Sequence, residues 1–368
     1  MNNLVFSNML HRPARTFVSV LGIAVGVLLI VFTVGLTNGS MRERGHREAN
    51  VGAEIMFRPS GSIGISGSEA FRIPVSMKAD LERVEGVKVA TPIGQNSVSA
   101  KDNNTGSRLV DGVNFDEYAA IAGLTIIEGR KFSENSNNEA IIDTGWQKQK
   151  KIKVGDKLEL YEREFTIVGT YEPAAGARIK IPLSAMQKQL GSDDKASAFL
   201  IKIKEGYTPD TVAETLSRTF SDNQILLTKD LEELYMSSIP ALNVFLNVFI
   251  GVAAAISALV ILLTMYTTVT ERTRQIGIMK SLGMSNTSIG WIIAQEAILI
   301  SFCGIIGGII LTVLLRFILT KVTTLEVEIS PEILLIVTVV GIIGGALGAL
   351  YPALKAARLD AVEALSYE

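Results

Sequence analysis

No charged residue occurs at positions 234–270, a run of 37, and no other feature restricts the fold of this chain so strongly. At about 1.5 Å rise per helical residue, two-thirds of that run already crosses a hydrocarbon core of roughly 30 Å. Inside such a core the backbone finds no water, so it must close its hydrogen bonds on itself as a helix. Three further runs have the same character: residues 16–41 and 333–354 lack charge entirely, and 288–315 is interrupted only by Glu296. The fold class expected is membrane α-helical with four transmembrane helices. A large α+β extracytoplasmic domain is inserted between helices 1 and 2.

Composition fits that division. The chain is 48% hydrophobic and 20% charged, with a mean hydropathy of +0.34, too apolar for an ordinary soluble enzyme and too charged for a wholly embedded protein. The charges collect at 42–233, a block long enough for one large or two small domains. A net charge of -2 gives no basis for nucleic-acid binding. The single cysteine, Cys303, lies in the third run, so an internal disulfide and a cysteine-based metal site are both excluded. The first run follows Arg12 and Arg15 as a signal peptide would. It is too long for a signal h-region, however, and residues 36–39 offer no small-residue cleavage site, so it reads as an uncleaved anchor.

Orientation follows from the short flanks. His11, Arg12 and Arg15 precede span 1, Arg272, Arg274 and Lys280 follow span 2, and Lys355 and Arg358 follow span 4. With four spans these places share one face, which the positive-inside bias makes cytoplasmic. Arg42, Arg44 and Arg47 open a long domain, where that bias is weak. The layout expected is a cytoplasmic N-terminus at 1–15, span 1 at 16–41, the outer domain at 42–235 and span 2 at 240–268. A cytoplasmic segment at 269–285, span 3 at 286–319, an outer loop at 320–331, span 4 at 332–354 and a cytoplasmic tail at 355–368 complete it.

The outer block alternates as strands do at 54–58, 88–91, 107–113, 157–160, 164–169 and 199–204. Helical spacing occurs at 74–84 and 208–220, the second with Val212, Leu216 and Phe220 on one stripe and Pro209 at a helix start. Strand, helix, strand near each end implies two half-motifs packing as one α+β unit, with an Asn- and Gly-rich, β-rich insertion at about 92–190. SGSIGISGS at 60–68 reads as a flexible surface loop, Gly155-Asp156 as a turn, and Asp193-Asp194 as a solvated turn.

Catalytic constellations are missing from the sequence. The two histidines, His11 and His46, flank span 1 on opposite faces, and neither a phosphate-binding loop nor a dinucleotide fingerprint occurs. Neither a metal nor a cofactor is expected, and the chain is not expected to be an enzyme. In the spans, Gly22 and Gly26, Gly304 and Gly308, and Gly341 and Gly345 repeat at i, i+4, as do Gly344 and Gly348. Small residues at that spacing let helix backbones approach closely, within one chain or between two. Glu296 must face protein or water. It is either an intramembrane functional group or, the reading adopted, near the cytoplasmic end of a helix that starts below the bilayer.

The segment ERTRQIGIMKSLG at 271–283 is a charged amphipathic piece trapped between two spans. Residues 268–271 fit a capping box, Glu271 would lie at a helix N-terminus, Lys280 would complement the C-terminal dipole, and Gly283 is a suitable stop. Such a helix could lie in the headgroup layer on anionic lipid or sit in a groove of a cytoplasmic partner.

Resemblance separates these alternatives. ERTRQIGIMKSLGMSNTSIGWIIAQEAILIS at 271–301 resembles the coupling-helix and third-span signature of ABC transporter permeases of the MacB and FtsX superfamily, also termed type VII. YPALKAARLDAVEALSYE at 351–368 is similar to that family's terminal pattern, and RPARTFVSVLGIAVGV at 12–27 to its entry into the first span. Gln275, Ala361 and Ser366 depart from the family's usual Glu, Pro and Arg. The resemblance implies a ferredoxin-like part at about 42–91 and 191–235. It also implies that Glu271, Arg272, Arg274, Ile276, Gly277, Lys280, Leu282 and Gly283 couple the chain to an ATPase. That ATPase is expected as a separate subunit, because only 15 residues precede span 1 here.

Two permease subunits, as a homodimer or a heterodimer, would then stand on two ATPase subunits in a bacterial inner membrane. ATP-driven closure would be passed to the outer domains, so that work on an amphipathic substrate is done outside the membrane. A periplasmic adaptor and an outer-membrane channel are further partners the resemblance admits, beside membrane lipid. Lipoprotein release in the manner of LolC and LolE, and control of cell-wall hydrolases in the manner of FtsX, are the alternative functions. Charge reversal at Arg272 and Arg274, or Gly283→Pro, is expected to uncouple ATP hydrolysis.

Overall fold

A computed structural model describes residues 13–60, 71–100, 106–237, 240–322 and 327–359. The loop expected at 60–68 falls, apart from Ser60, outside the described residues, as do most of the N-terminal segment and the tail beyond 359. The chain divides into two compact units.

The membrane unit is built from four long apolar helices, each long enough to cross a bilayer. The first, Pro13–Ala49, overruns the span expected at 16–41: the helix runs through Gly45, no proline follows before its end, and Gly52, at φ +74°, comes only after it. Its last residues, from Ser40 on, belong to the outer unit. Span 2 is Pro240–Glu271, span 3 Asn286–Val322 and span 4 Pro331–Arg358. Ser330 starts span 4: its side chain accepts from the Ile333 N–H at 3.3 Å, and Pro331 occupies the first turn, where a missing N–H costs nothing.

The glycine stripes lie between helices of this one chain. A Cβ at Gly22 would meet the Val260 side chain at 3.1 Å and one at Gly26 the Ser257 hydroxyl at 2.6 Å, so this face of span 1 is against span 2. Gly304 and Gly308 of span 3 take Ile23 and Val27 of span 1, both at 2.6 Å. In span 4, Gly341 faces Ile305 and Gly345 faces Ser301 of span 3, while Gly348, three residues on, faces the Ala258 carbonyl of span 2. Ser19 is buried and donates to the Thr264 hydroxyl at 3.0 Å, a polar tie between spans 1 and 2. Around these contacts Ile23, Val27, Ile261, Met265, Ile300 and Val337 form the apolar core.

The outer unit is built on one mixed sheet. Its strands in chain order are β1 (Ile55–Pro59), β2 (Ile73–Pro74), β3 (Val87–Ala100), β4 (Gly106–Val113), β5 (Thr125–Gly129) and β6 (Glu139–Asp143). Then follow β7 (Lys157–Leu160), β8 (Arg163–Glu172), β9 (Ile179–Pro182), β10 (Lys195–Ala196), β11 (Ala198–Ile203) and β12 (Asn223–Leu227). The large sheet runs β12-β1-β11-β3-β4-β9-β6-β8-β5, with β7 on β8, and β2 pairs separately with β10. Strands β12, β1, β11 and β3 are antiparallel neighbours joined by the helices Met77–Glu82 and Pro209–Thr219, which is the split βαβ ferredoxin-like arrangement.

Two expectations need correction. The helix at 74–84 is shorter, Met77–Glu82, because Ile73–Pro74 is spent as a strand against Lys195–Ala196. The boundary at 92 does not exist as a break. Strand β3 pairs β11 through Val87–Ile93 and β4 through Ile93–Ala100, so the insertion is grown from a ferredoxin-like strand. Apolar clusters line both parts, one around Phe57, Phe199, Leu81 and Leu216 and another around Phe165, Trp146, Met186 and Ile181.

Candidate functional site

The segment after span 2 is held entirely by the membrane unit. Span 2 runs through Thr268 and Thr270, whose hydroxyls donate back to the Thr264 and Tyr266 carbonyls at 2.7 and 3.0 Å. The capping box expected at 268–271 is therefore not formed, and Glu271 ends a helix instead of starting one. A single residue, Arg272 at φ -106° and ψ 12°, breaks the helix. Its N–H is shared between the Thr268 and Val269 carbonyls, both at 3.2 Å. A short helix, Thr273–Ser281, follows at once. No side chain caps its start.

The other end is a glycine stop. Gly283 has φ +89°. Its N–H reaches the Lys280 carbonyl at 2.9 Å and the Met284 N–H reaches Met279 at 3.1 Å. These are the paired bonds of a Schellman motif, in which a left-handed residue closes the helix.

Side chains divide cleanly between the two faces. Thr273, Ile276 and Gly277 are buried, and Ile276 packs with Val269, Ile289 and Ile293. The Arg272 guanidinium lies 3.3 Å from the Glu296 carboxylate of span 3, with side chains only 13% and 5% exposed. Beside this pair is a small cavity of about 140 Å³ lined by Gln275, Met279 and Ile292. Lys280 turns to span 4, donating to the Ala357 and Leu359 carbonyls at 2.8 and 2.6 Å, which the end of that helix leaves without intrahelical partners. Arg272, Ile276, Gly277 and Lys280 are thus engaged within the chain, whereas Arg274, Gln275, Ile278, Ser281, Leu282 and Gly283 are exposed, Leu282 by 80%.

Positions 274, 275, 278, 281 and 282 are one helical stripe. Gln275, Ile278 and Ser281 were not among the residues expected to couple, because that set followed the resemblance to the family's motif and not the exposed side of the helix. The wheel, with Ile276 opposite Ile278, carries that signal. The Glu296 partner needed the fold, since 24 residues separate it from Arg272.

Comparison with known proteins supplies the family. The MacB-like periplasmic core domain matches residues 16–219, and the FtsX-like permease C-terminal domain matches 247–361. An uncharacterized ABC transporter permease of Methanocaldococcus jannaschii is 24% identical, over 99% of this chain and 96% of its own length. The macrolide export ATP-binding/permease protein MacB of Bdellovibrio bacteriovorus is 23% identical over 99% of this chain, which spans 61% of that relative. The crystal structure of the periplasmic region of MacB from Actinobacillus actinomycetemcomitans aligns with 51% of this chain and 95% of its own, at 15% identity and a TM-score of 0.37. With matches that begin in span 1 and end in the residues after span 4, this multi-pass membrane protein belongs to the MacB/FtsX-type ABC transporter permeases.

Proposed function

We propose that the chain is the permease subunit of an ATP-driven, mechanotransmission-type ABC exporter. It moves an amphipathic substrate on the extracytoplasmic side with energy from a separate ABC ATPase subunit. The observation that carries this reading is the stripe of Arg274, Gln275, Ile278, Ser281 and Leu282 on a helix fastened to its own spans from behind. An exposed leucine and isoleucine flanked by a cation fit a groove on a partner, where apolar burial supplies affinity and the charge sets register. Lipid alone would not require the helix to be tied to spans 3 and 4.

The fastenings give the helix its mechanical use. A displacement by the ATPase is delivered through Arg272 to span 3 and through Lys280 to span 4, while the one-residue break at Arg272 keeps span 2 in line. A second permease subunit, of the same or a related chain, and lipid cover the outward apolar faces of the spans, such as Val248, Val252, Ile256 and Leu259. Both termini are cytoplasmic in a bacterial inner membrane, and an adaptor with an outer-membrane channel extends the path.

Reconstitution with the ATPase in nanodiscs tests the reading. The double substitution Arg274→Glu and Leu282→Asp is expected to abolish permease-dependent stimulation of ATP hydrolysis, a loss of about 5- to 150-fold on the usual scale of coupling energies. Membrane insertion should be unaffected, and stimulation unchanged by the pair would overturn the assignment.

A further inference from the structure

Among the described residues one lysine is buried, Lys180 of β9, and its side chain has no exposed surface. It stands directly opposite Asp111 in the parallel ladder of β4 and β9, a pairing of only four residues a side. Its Nζ lies 3.0 Å from Oδ2 of Asp111, whose side chain is 3% exposed. The same nitrogen donates to the Ala175 and Ala177 carbonyls at 2.8 and 3.3 Å. Two aromatic rings wall it in, with the Tyr118 and Tyr171 centroids 4.5 and 5.2 Å away. An amine and a carboxyl are thus held in contact, on rigid strands, away from solvent.

The surroundings disfavour the ions. Burial pulls the Lys180 amine below the ordinary lysine range even though Asp111 opposes the shift. Glu48 is a second buried carboxyl beside the pair, and burial, then Asp111, pushes it above the usual carboxylate range, so it adds little negative charge. The Gln95 amide nitrogen bridges the two carboxyls, donating to Glu48 at 2.8 Å and to Oδ1 of Asp111 at 3.3 Å. The Ala177 N–H holds Oδ2 at 2.7 Å. In water an amine and a carboxylic acid stay separate chiefly because each is well solvated as an ion. Here both have lost that hydration, and their mutual attraction restores only part of it. Condensation to an amide removes both charges at once and releases one water.

We propose that Lys180 and Asp111 are joined by an isopeptide bond that the folded outer unit forms by itself. The ammonium gives one proton to Oδ2 of Asp111, the freed amine attacks Cγ, and the negative charge that develops on Oδ1 is held by the Gln95 N–H. The nitrogen then gives a second proton to Oδ2, the Cγ–Oδ2 bond breaks, and Oδ2 leaves as water. One C–N bond replaces one C–O bond, two protons pass from nitrogen to oxygen, and no oxidant or further reactant is needed. The amide N–H that remains has the Ala175 carbonyl as its acceptor, and Oδ1 keeps the Gln95 amide as its donor. Since β4 leads into the far strands and β9 returns from them, the bond closes residues 111–180 into a ring and restricts the unfolded chain as a disulfide would. The proposal is independent of how the short cytoplasmic helix is used.

Mass spectrometry tests it on the wild-type chain. Full-length protein in detergent, monodisperse by size-exclusion chromatography, is measured intact and then digested with trypsin. The intact mass is expected to be that of the sequence less one water. In the digest, the peptide that begins at Leu109 should be joined to the one that begins at Ile179, with no cleavage after Lys180, because trypsin requires a free lysine side chain. Lys180→Arg, which keeps a cation at the position, should show the full mass of its own sequence and yield the two peptides separately. The proposal is overturned if the wild-type protein has its full mass. It is equally overturned if the lost water is confined to the Leu109 peptide alone, as a succinimide at Asp111-Gly112 would leave it.

Discussion

Arg272 and Lys280 are cations that sit beside the exposed stripe yet point away from it. The Arg272–Glu296 pair is nearly closed to solvent, and removing one member of such a pair commonly costs about 3–5 kcal/mol because the other stays buried and unanswered. Arg272→Glu should therefore lower the yield of folded protein and its melting temperature in detergent, while the exchanged pair Arg272→Glu with Glu296→Arg recovers much of both. Uncoupling caused by reversal at Arg272 is thus a loss of the permease's own structure, which distinguishes it from reversal at Arg274. For Lys280→Met, two carbonyls of span 4 lose a charged donor, a cost of about 1–3 kcal/mol each at most. ATPase stimulation should fall while subunit assembly, read by size-exclusion chromatography, persists. In the outer unit, Glu48 has a raised pKa through burial. Its contribution to stability is complete below the ordinary carboxylate pKa and is lost as pH rises through the raised folded value. Thermal melting between about pH 5 and pH 8 should show a decline in the wild type that Glu48→Gln flattens.

At the level of elements, the spans were legible in sequence because length without charge admits one solution in a bilayer. The helices Pro13–Ala49 and Pro209–Thr219 were located for different reasons, hydrocarbon thickness in one case, and in the other Pro209 at a helix start and the Val212, Leu216 and Phe220 stripe. The helix Phe115–Ala122 was not found, though Asn114 caps it by accepting from the Glu117 N–H at 3.3 Å and Gly123 ends it. Its eight residues are too few for a clear period. Strand β6 was missed because it is a buried run without alternation, and β9 because it is only four residues long, ends in proline and buries its one charge, Lys180. Glycine spacing gave contact faces without naming the neighbour, and only the packed helices do that. Gly348→Ala should lower the melting temperature, since its Cβ would run into the Ala258 carbonyl, whereas Gly251→Ala, with nothing within 4 Å, should not.

For the molecule as a whole, the sidedness of the membrane is the assignment that everything functional rests on. With Cys303 replaced by alanine, a cysteine at the exposed Lys188 or Glu205 should react with an impermeant maleimide added to intact spheroplasts. One at Ser281 should react only after permeabilisation, and the reverse pattern would invert the topology. The two-part continuity of β3 has a practical meaning for exchanging parts between relatives. A chimaera cut near residue 92 would leave β11 and β4 each with half of a neighbour. Junctions in the turn after Val113 and in the segment joining β10 to β11 would carry the insertion across with its edge partner intact on one side. Diversification of this outer domain is thus expected at the far strands β5 and β7, which pair with β8 alone, so that additions there cost no shared strand.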